Sequence, residues 1–188
     1  MNGRGETMSD LLTKKEQKEL LQIARDTVVE YVTNRKVPAI STASPGLHLH
    51  SGCFVTVKQK GELRGCIGNF ISEQPLYLLV QEMAVSAATR DPRFYPMKPE
   101  DLADFALDIS VLSPLKKAVS VEEIKVGKHG IYIVKGDYRG VLLPQVATEY
   151  GWNRDQFLQH TCIKAGLPED AWKGECDIYI FSAQVFGE

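Results

Sequence analysis

The sequence predicts an α+β fold, a mostly antiparallel sheet with flanking helices, and three observations carry that reading. Two pairs of apolar runs are each separated by a two-residue turn signal, Lys60-Gly61 and Gly136-Asp137, which marks β-hairpins. A capping-box sequence, Thr13-Lys14-Lys15-Glu16, opens a long amphipathic segment. The elements that follow lack the regular βαβ alternation of a doubly wound parallel sheet.

Residues 1–12, with Gly3, Arg4, Gly5 and Glu6, read as a disordered leader, and residues 13–188 as a single domain. After the capping box, Leu20, Leu21, Ala24, Val28, Tyr31 and Val32 recur at helical spacing, so one face is apolar. The helix should stop near Arg35, because Val37 precedes Pro38 and is pushed out of the helical region. Residues 37–51, with Pro38, Pro45 and Gly46, read as a loop. Cys53–Gln59 and Leu63–Gly68 form the first hairpin. Pro75–Ala88 reads as a helix that tolerates Pro75 in its first turn and buries Leu76, Leu79, Met83 and Ala87.

Pro92 and Pro96 keep Arg90–Pro96 irregular. A short helix is expected over Pro99–Ala103. Phe105, Leu107, Ile109 and Val111 then alternate with polar or small residues, as a half-buried strand requires. Ile131–Lys135 and Arg139–Leu143 make the second hairpin. Asn153 caps a helix over Arg154–Ala165, stopped by Gly166 and Pro168. Cys176–Val185 reads as one last strand.

The bulk chemistry removes several classes of function. Lys and Arg number 22 against 24 Asp and Glu, a net charge of −2 without a basic tract, which argues against general nucleic-acid binding. No apolar run approaches the roughly 20 residues of a membrane span, and no signal-peptide core follows the N-terminus, so no membrane association and a cytoplasmic location are expected. The four cysteines, Cys53, Cys66, Cys162 and Cys176, include no C-x-x-C pair, so free thiols are expected rather than disulfides or structural zinc. P-loop, Rossmann, G-x-S-x-G and H-E-x-x-H signatures are absent.

The segment Leu63-Arg64-Gly65-Cys66-Ile67-Gly68 concentrates the chemistry. Two glycines weaken a strand interior unless a backbone or a ligand approaches closely. Strand alternation puts Arg64 and Cys66 on one face, with Leu63, Gly65 and Ile67 on the other, where Leu63 and Ile67 can enter the core. A two-residue turn would set Val55 opposite Cys66, with Cys53 on the same face; a one-residue slip would send Cys53 to the other side. An adjacent guanidinium stabilises a thiolate and clamps carboxylate or phosphate in a fork. Equally, Cys66 can be an inert buried thiol, with Arg64 paired to a sheet carboxylate.

Other polar residues divide similarly. His48 and His50 form an H-x-H that reads as a solvated loop rather than a metal site. His129 is a turn residue or faces a cleft. Asp91 pins its loop by an ion pair with an arginine, with Phe94 as anchor, and Arg93 is open to a ligand role. Gln145 caps the next helix or bonds a ligand. Trp152 and Trp172 read as packing residues, and His160 as a surface or interlobe contact.

The hexapeptide resembles the signature of the AMMECR-one family. Further matches follow in order: Gly52–Val57, Arg90–Phe94, Ser110–Pro114, Gly127–Gly130, Leu142–Val146, Lys164–Pro168 and Trp172. The resemblance implies a larger lobe built from the N- and C-terminal parts and a smaller middle lobe, with the hexapeptide in or near the cleft between them. It implies no established reaction. It does imply association with Memo-like and radical-SAM proteins in a modification pathway. The function expected is a binding or accessory module. Arg64, Gly65, Cys66, Gly68, Arg93, His129 and Gln145 would hold an unknown polar or anionic ligand, without a cofactor or metal. An enzyme using Cys66 as nucleophile on a small or nucleic-acid-derived substrate is an alternative, although no base is recognisable. A purely structural interaction protein is another.

Overall fold

The computed structural model describes residues 11–188. In chain order the elements are α1 (Lys14–Asn34), β1 (Cys53–Gln59), β2 (Glu62–Asn69), α2 (Leu76–Thr89), β3 (Phe105–Leu112), β4 (Lys116–Lys117), β5 (Gly130–Lys135), β6 (Tyr138–Leu142), α3 (Pro144–Glu149), α4 (Arg154–Lys164), β7 (Asp177–Phe181) and β8 (Ala183–Gly187). Short 3-10 turns cover Pro45–His48 and Pro99–Asp104, among others. No helix among the described residues is long and apolar enough to cross a membrane.

The capping box forms. Glu16 N–H donates to Thr13 Oγ1 at 3.3 Å, and Thr13 N–H donates to Glu16 Oε2 at 2.8 Å. The leader expected over residues 1–12 falls outside the described residues up to Asp10. Its last two residues need correction. Leu12 is fully buried and its N–H donates to Gln184 Oε1 at 2.9 Å, while Leu11 packs against the same core. An apolar pair directly before the cap is drawn in by burial worth about 1.5–3 kcal/mol per side chain.

The chain divides into two compact units, one from residues up to Leu112 plus Gln184–Glu188, the other Ser113–Ala183. The first carries a sheet in the order β2-β1-β3-β8, with β1 antiparallel to both neighbours. Cys53, Val55 and Val57 of β1 join Leu107, Ile109 and Val111 of β3 under Leu20, Ala24 and Val28 of α1 and Leu79, Val80 and Met83 of α2. The second unit carries the order β4-β7-β5-β6. Ile131, Ile133, Ile178 and Ile180 pack there with Phe157, Leu158 and Cys162 of α4.

The expected single strand over Cys176–Val185 is two strands. β7 pairs with β5 in the second unit's sheet, and β8 belongs to the first unit's sheet. The apolar alternation runs on through Ser182, so periodicity alone could not show the change of sheet.

Candidate functional site

The first hairpin closes on Lys60 (φ 52°) and Gly61 (φ 80°), both left-handed, as a two-residue turn of the hairpin-favoured hand requires. Gln59 faces Glu62 and Lys58 faces Leu63; then the register shifts and Val57 faces Gly65. Arg64 is the extra residue of a β-bulge, a feature that re-aims side chains. Beyond it Thr56 faces Cys66, and Val55 faces Ile67.

The bulge corrects three expectations. Cys66 lies opposite Thr56, not Val55, and therefore on the sheet face away from buried Cys53, Val55 and Val57. Arg64 does not share that face. Its guanidinium meets Asp101, 3.7 Å away, whose carboxylate also accepts from Gln59 Nε2 at 3.3 Å, on the side of the sheet that carries Val57 and the helices. Leu63, before the bulge, stays 44% exposed instead of entering the core.

The two glycines have packing reasons. Gly65 is buried, and a Cβ there would lie 2.0 Å from the Ala87 carbonyl of α2. It admits a helix, so its amide is not an exposed ligand donor. A Cβ on Gly68 would lie 2.4 Å from the Phe54 ring and from the Cys53 carbonyl.

The loop after α2 fastens the edge strand. Asp91, with a side chain only 2% exposed, accepts from Cys66 N–H at 2.9 Å, Arg93 N–H at 3.1 Å, Arg93 Nε at 3.0 Å and Arg93 Nη2 at 2.7 Å. The Arg93 hydrogen bonds, together with the Cys66 amide, hold the Asp91 carboxyl well below the usual carboxylate range despite its burial. Arg93 is raised, first by the same side-chain bonds, and the Cys66 thiol lies within electrostatic reach of its guanidinium. Cys66 is half-buried, and Thr56 Oγ1 donates to its Sγ at 3.2 Å. Phe94 lies 5.5 Å from the Arg93 guanidinium and 5.9 Å from that of Arg64.

Arg64 is sparingly bonded, although among the described residues the buried side-chain polar atom without a partner is Trp172 Nε1 in the second unit. The Arg64 side chain is 17% exposed, yet it makes only the long ion pair and the ring contact, with no hydrogen bond among the described residues. It borders a cavity of about 450 Å³ with Arg35, Tyr95, Pro96, Met97, Lys98 and Asp101. Asp101 is held below the ordinary carboxylate range, first by the Lys98 N–H (2.8 Å), then by Gln59 and by the charges of Arg64 and Lys98.

Of the expected site residues, Arg64, Gly65, Cys66, Gly68 and Arg93 therefore cluster in the first unit, on two sides of the edge strand. His129 and Gln145 belong to the second. His129 Nδ1 accepts from Lys125 N–H at 3.3 Å, and its pKa is lowered by burial and then by Lys128. Gln145 is exposed in the first turn of α3, and its carbonyl accepts from Thr148 Oγ1. His48 bonds the Thr42 carbonyl at 2.8 Å and meets the Tyr77 ring edge-on. His160 stacks on Trp152 at 3.8 Å, and Tyr150 stacks on Trp152 too.

Sequence reasoning missed Arg35, Tyr95, Lys98 and Asp101 as cavity residues. Only Lys98-Pro99-Glu100-Asp101 carried a signal, that of a capped turn; no local pattern ties Arg35 to Arg64.

The two-sheet α+β fold is shared with a solved structure, and the sequence has close relatives. The sequence profile of the AMMECR1 family matches residues 21–186, and the chain belongs to that family. Protein MK0488 of Methanopyrus kandleri is 42% identical over 96% of this chain and 92% of its own length. A protein of Aquifex aeolicus is 38% identical over 91% and 92%. The crystal structure of the uncharacterized protein PH0010 from Pyrococcus horikoshii superposes with a TM-score of 0.82 at 36% identity, covering 95% of this chain and 94% of that one.

Proposed function

We propose that this protein is a binding or accessory module that holds an anionic group against the Leu63–Gly68 segment, with Arg64 as its principal contact. The observation that carries this is the Arg64 guanidinium, mostly buried at a cavity wall without a hydrogen bond among the described residues. A guanidinium offers five donors, and at the cavity wall those of Arg64 are open to an anionic ligand in place of water, in a charge-assisted bond stronger than a neutral one. In the cytoplasm the module would present the held group to the Memo-like and radical-SAM partners that the family resemblance implies.

The test is Arg64→Ala beside wild type, titrated calorimetrically with inorganic phosphate and with acetate. Binding of at least one anion by wild type, weakened tenfold or more in the variant at unchanged melting temperature, is expected. Equal binding by both proteins, or no anion binding by wild type, defeats the proposal.

One observation favours a second reading, an enzyme with Cys66 as nucleophile. The thiol is half-buried, takes a hydrogen bond from Thr56 and lies near the Arg93 guanidinium. That site lies across the strand from Arg64. Cys66→Ser should leave anion binding intact, and only a loss of turnover with retained binding would support the nucleophile.

A further inference from the structure

We infer that the Arg64 cavity takes a phosphomonoester, with the phosphate dianion on Arg35, Arg64 and Lys98 and the organic part against Tyr95 and Pro96. The inference rests on the anion-binding reading above and specifies its ligand.

Charge is the first argument. Three cations and one carboxylate line the cavity, which leaves two positive charges. Asp101 cannot relieve that excess by more than its single charge, and its hydrogen bonds from the Lys98 amide and Gln59 keep it ionised. Neither Arg35 nor Lys98 makes an ion pair among the described residues; Arg35 instead lies 5.7 Å from the Tyr31 ring. A carboxylate brings one negative charge, whereas a phosphomonoester brings about 1.5 to 2 at pH 7.

Geometry is the second. A phosphomonoester has three terminal oxygens to meet three cationic side chains that arrive from three segments. Arg35 comes from the left-handed cap of α1 (φ 58°), Arg64 from the bulge and Lys98 from the start of the 3-10 turn. Arg35 also offsets the negative end of the α1 dipole, which would otherwise oppose an anion there.

The rim is the third. Tyr95 is 87% exposed and, with Pro96, borders the cavity, while Met97 closes it as a fully buried residue. Inorganic phosphate would leave that exposed ring unused. About 450 Å³ is space for a small organic body beside the phosphate. Another cavity of this unit, about 390 Å³, is lined by Asp26, Glu30 and one cation, Lys36, and has the wrong sign for an anion.

The experiment titrates the full chain with acetate, inorganic phosphate and phenyl phosphate at pH 7.5 and again at pH 5.5. Phosphate should bind at least tenfold tighter than acetate, and phenyl phosphate tighter than phosphate. Acidification through the second ionisation, near 6 for a phosphomonoester and higher for inorganic phosphate, should weaken both phosphates severalfold and leave acetate nearly unchanged. Arg35→Ala and Lys98→Ala should each weaken phosphate at least threefold at unchanged melting temperature. Tyr95→Ala should erase the advantage of phenyl phosphate without moving phosphate itself. Acetate binding as tightly as phosphate, in an Arg64-dependent way, would overturn the phosphate inference and leave the anion-binding reading standing. Phosphate binding indifferent to Arg35 and Lys98 would overturn the inference as well. If no anion binds in an Arg64-dependent way, both fall.

Discussion

The two hairpins of this protein share a design and differ in one residue. β1–β2 and β5–β6 each close through a two-residue turn with left-handed backbone, Lys60-Gly61 in one and Gly136 (φ 58°) followed by Asp137 in the other. Each places a strand glycine against a helix. Gly65 lies under Ala87 of α2, and Gly140 under Thr161 and Ala165 at the end of α4, where a Cβ would come within 2.7 Å of the Thr161 carbonyl. Each glycine faces a buried β-branched residue, Val57 and Ile133 respectively.

In β5–β6 the register runs unbroken from the turn, Lys135 with Tyr138 through Ile131 with Leu142, and brings Gly140 to the helix side by parity alone. In β1–β2 an unbroken register would face Gly65 with Thr56 and turn it away from α2. One extra residue restores the parity, and that residue is Arg64. The bulge that aims the arginine at the cavity is thus the device by which the glycine meets the helix.

The comparison can be broken. Gly65→Ala sets a Cβ against a helix carbonyl, which can move only with α2, and should cost about 3 kcal/mol in urea unfolding. Gly140→Ala meets the last turn of α4, which can shift more readily, and should cost about 2 kcal/mol. A larger loss at Gly140 would show that the bulged hairpin is the more compliant one, contrary to this account.

Asp91→Asn should cost about 2 kcal/mol at pH 7, because Arg93 and the Cys66 amide lose a buried carboxylate. The sign of its pH dependence follows from the lowered pKa. The stabilisation is full above the unfolded carboxylate value, about 4, and is lost as pH falls through the lower folded value. Wild type should therefore lose this increment on acidification, and the variant should show a shallower acid loss. Identical acid profiles would remove Asp91 from the account.

Arg64→Ala should cost less than about 1 kcal/mol, since its ion pair is long. A loss of several kcal/mol would make the arginine structural and reverse the contrast with Gly65. The smallest effect on stability is expected from modifying Cys66. A thiol reagent should label Cys66 in the native protein before Cys53 and Cys162, which are fully buried and whose thiol pKa values are raised by burial. All four thiols should titrate in the denatured, unreduced protein, and a shortfall of two would mean a disulfide.

The α+β class, the capped first helix, both hairpin turns and the helix stops at Arg35 and Gly166 were legible in the sequence. These are local matters: a capping box, a pair of left-handed turn residues and an apolar period each act within a few neighbours. The hexapeptide was also legible as a place to look, because two glycines in a strand are costly without a reason. Which reason applied was not. Only tertiary structure decided that Gly65 yields to the Ala87 carbonyl, that the register slips by one residue, and that Arg64 and Cys66 consequently part to opposite faces. It alone brought Arg35 and Lys98 to Arg64 across the sequence, and divided the last apolar stretch between two sheets at Ser182. A strand's alternation is written in its own residues, but its parity relative to a helix is set by packing against partners distant in the chain.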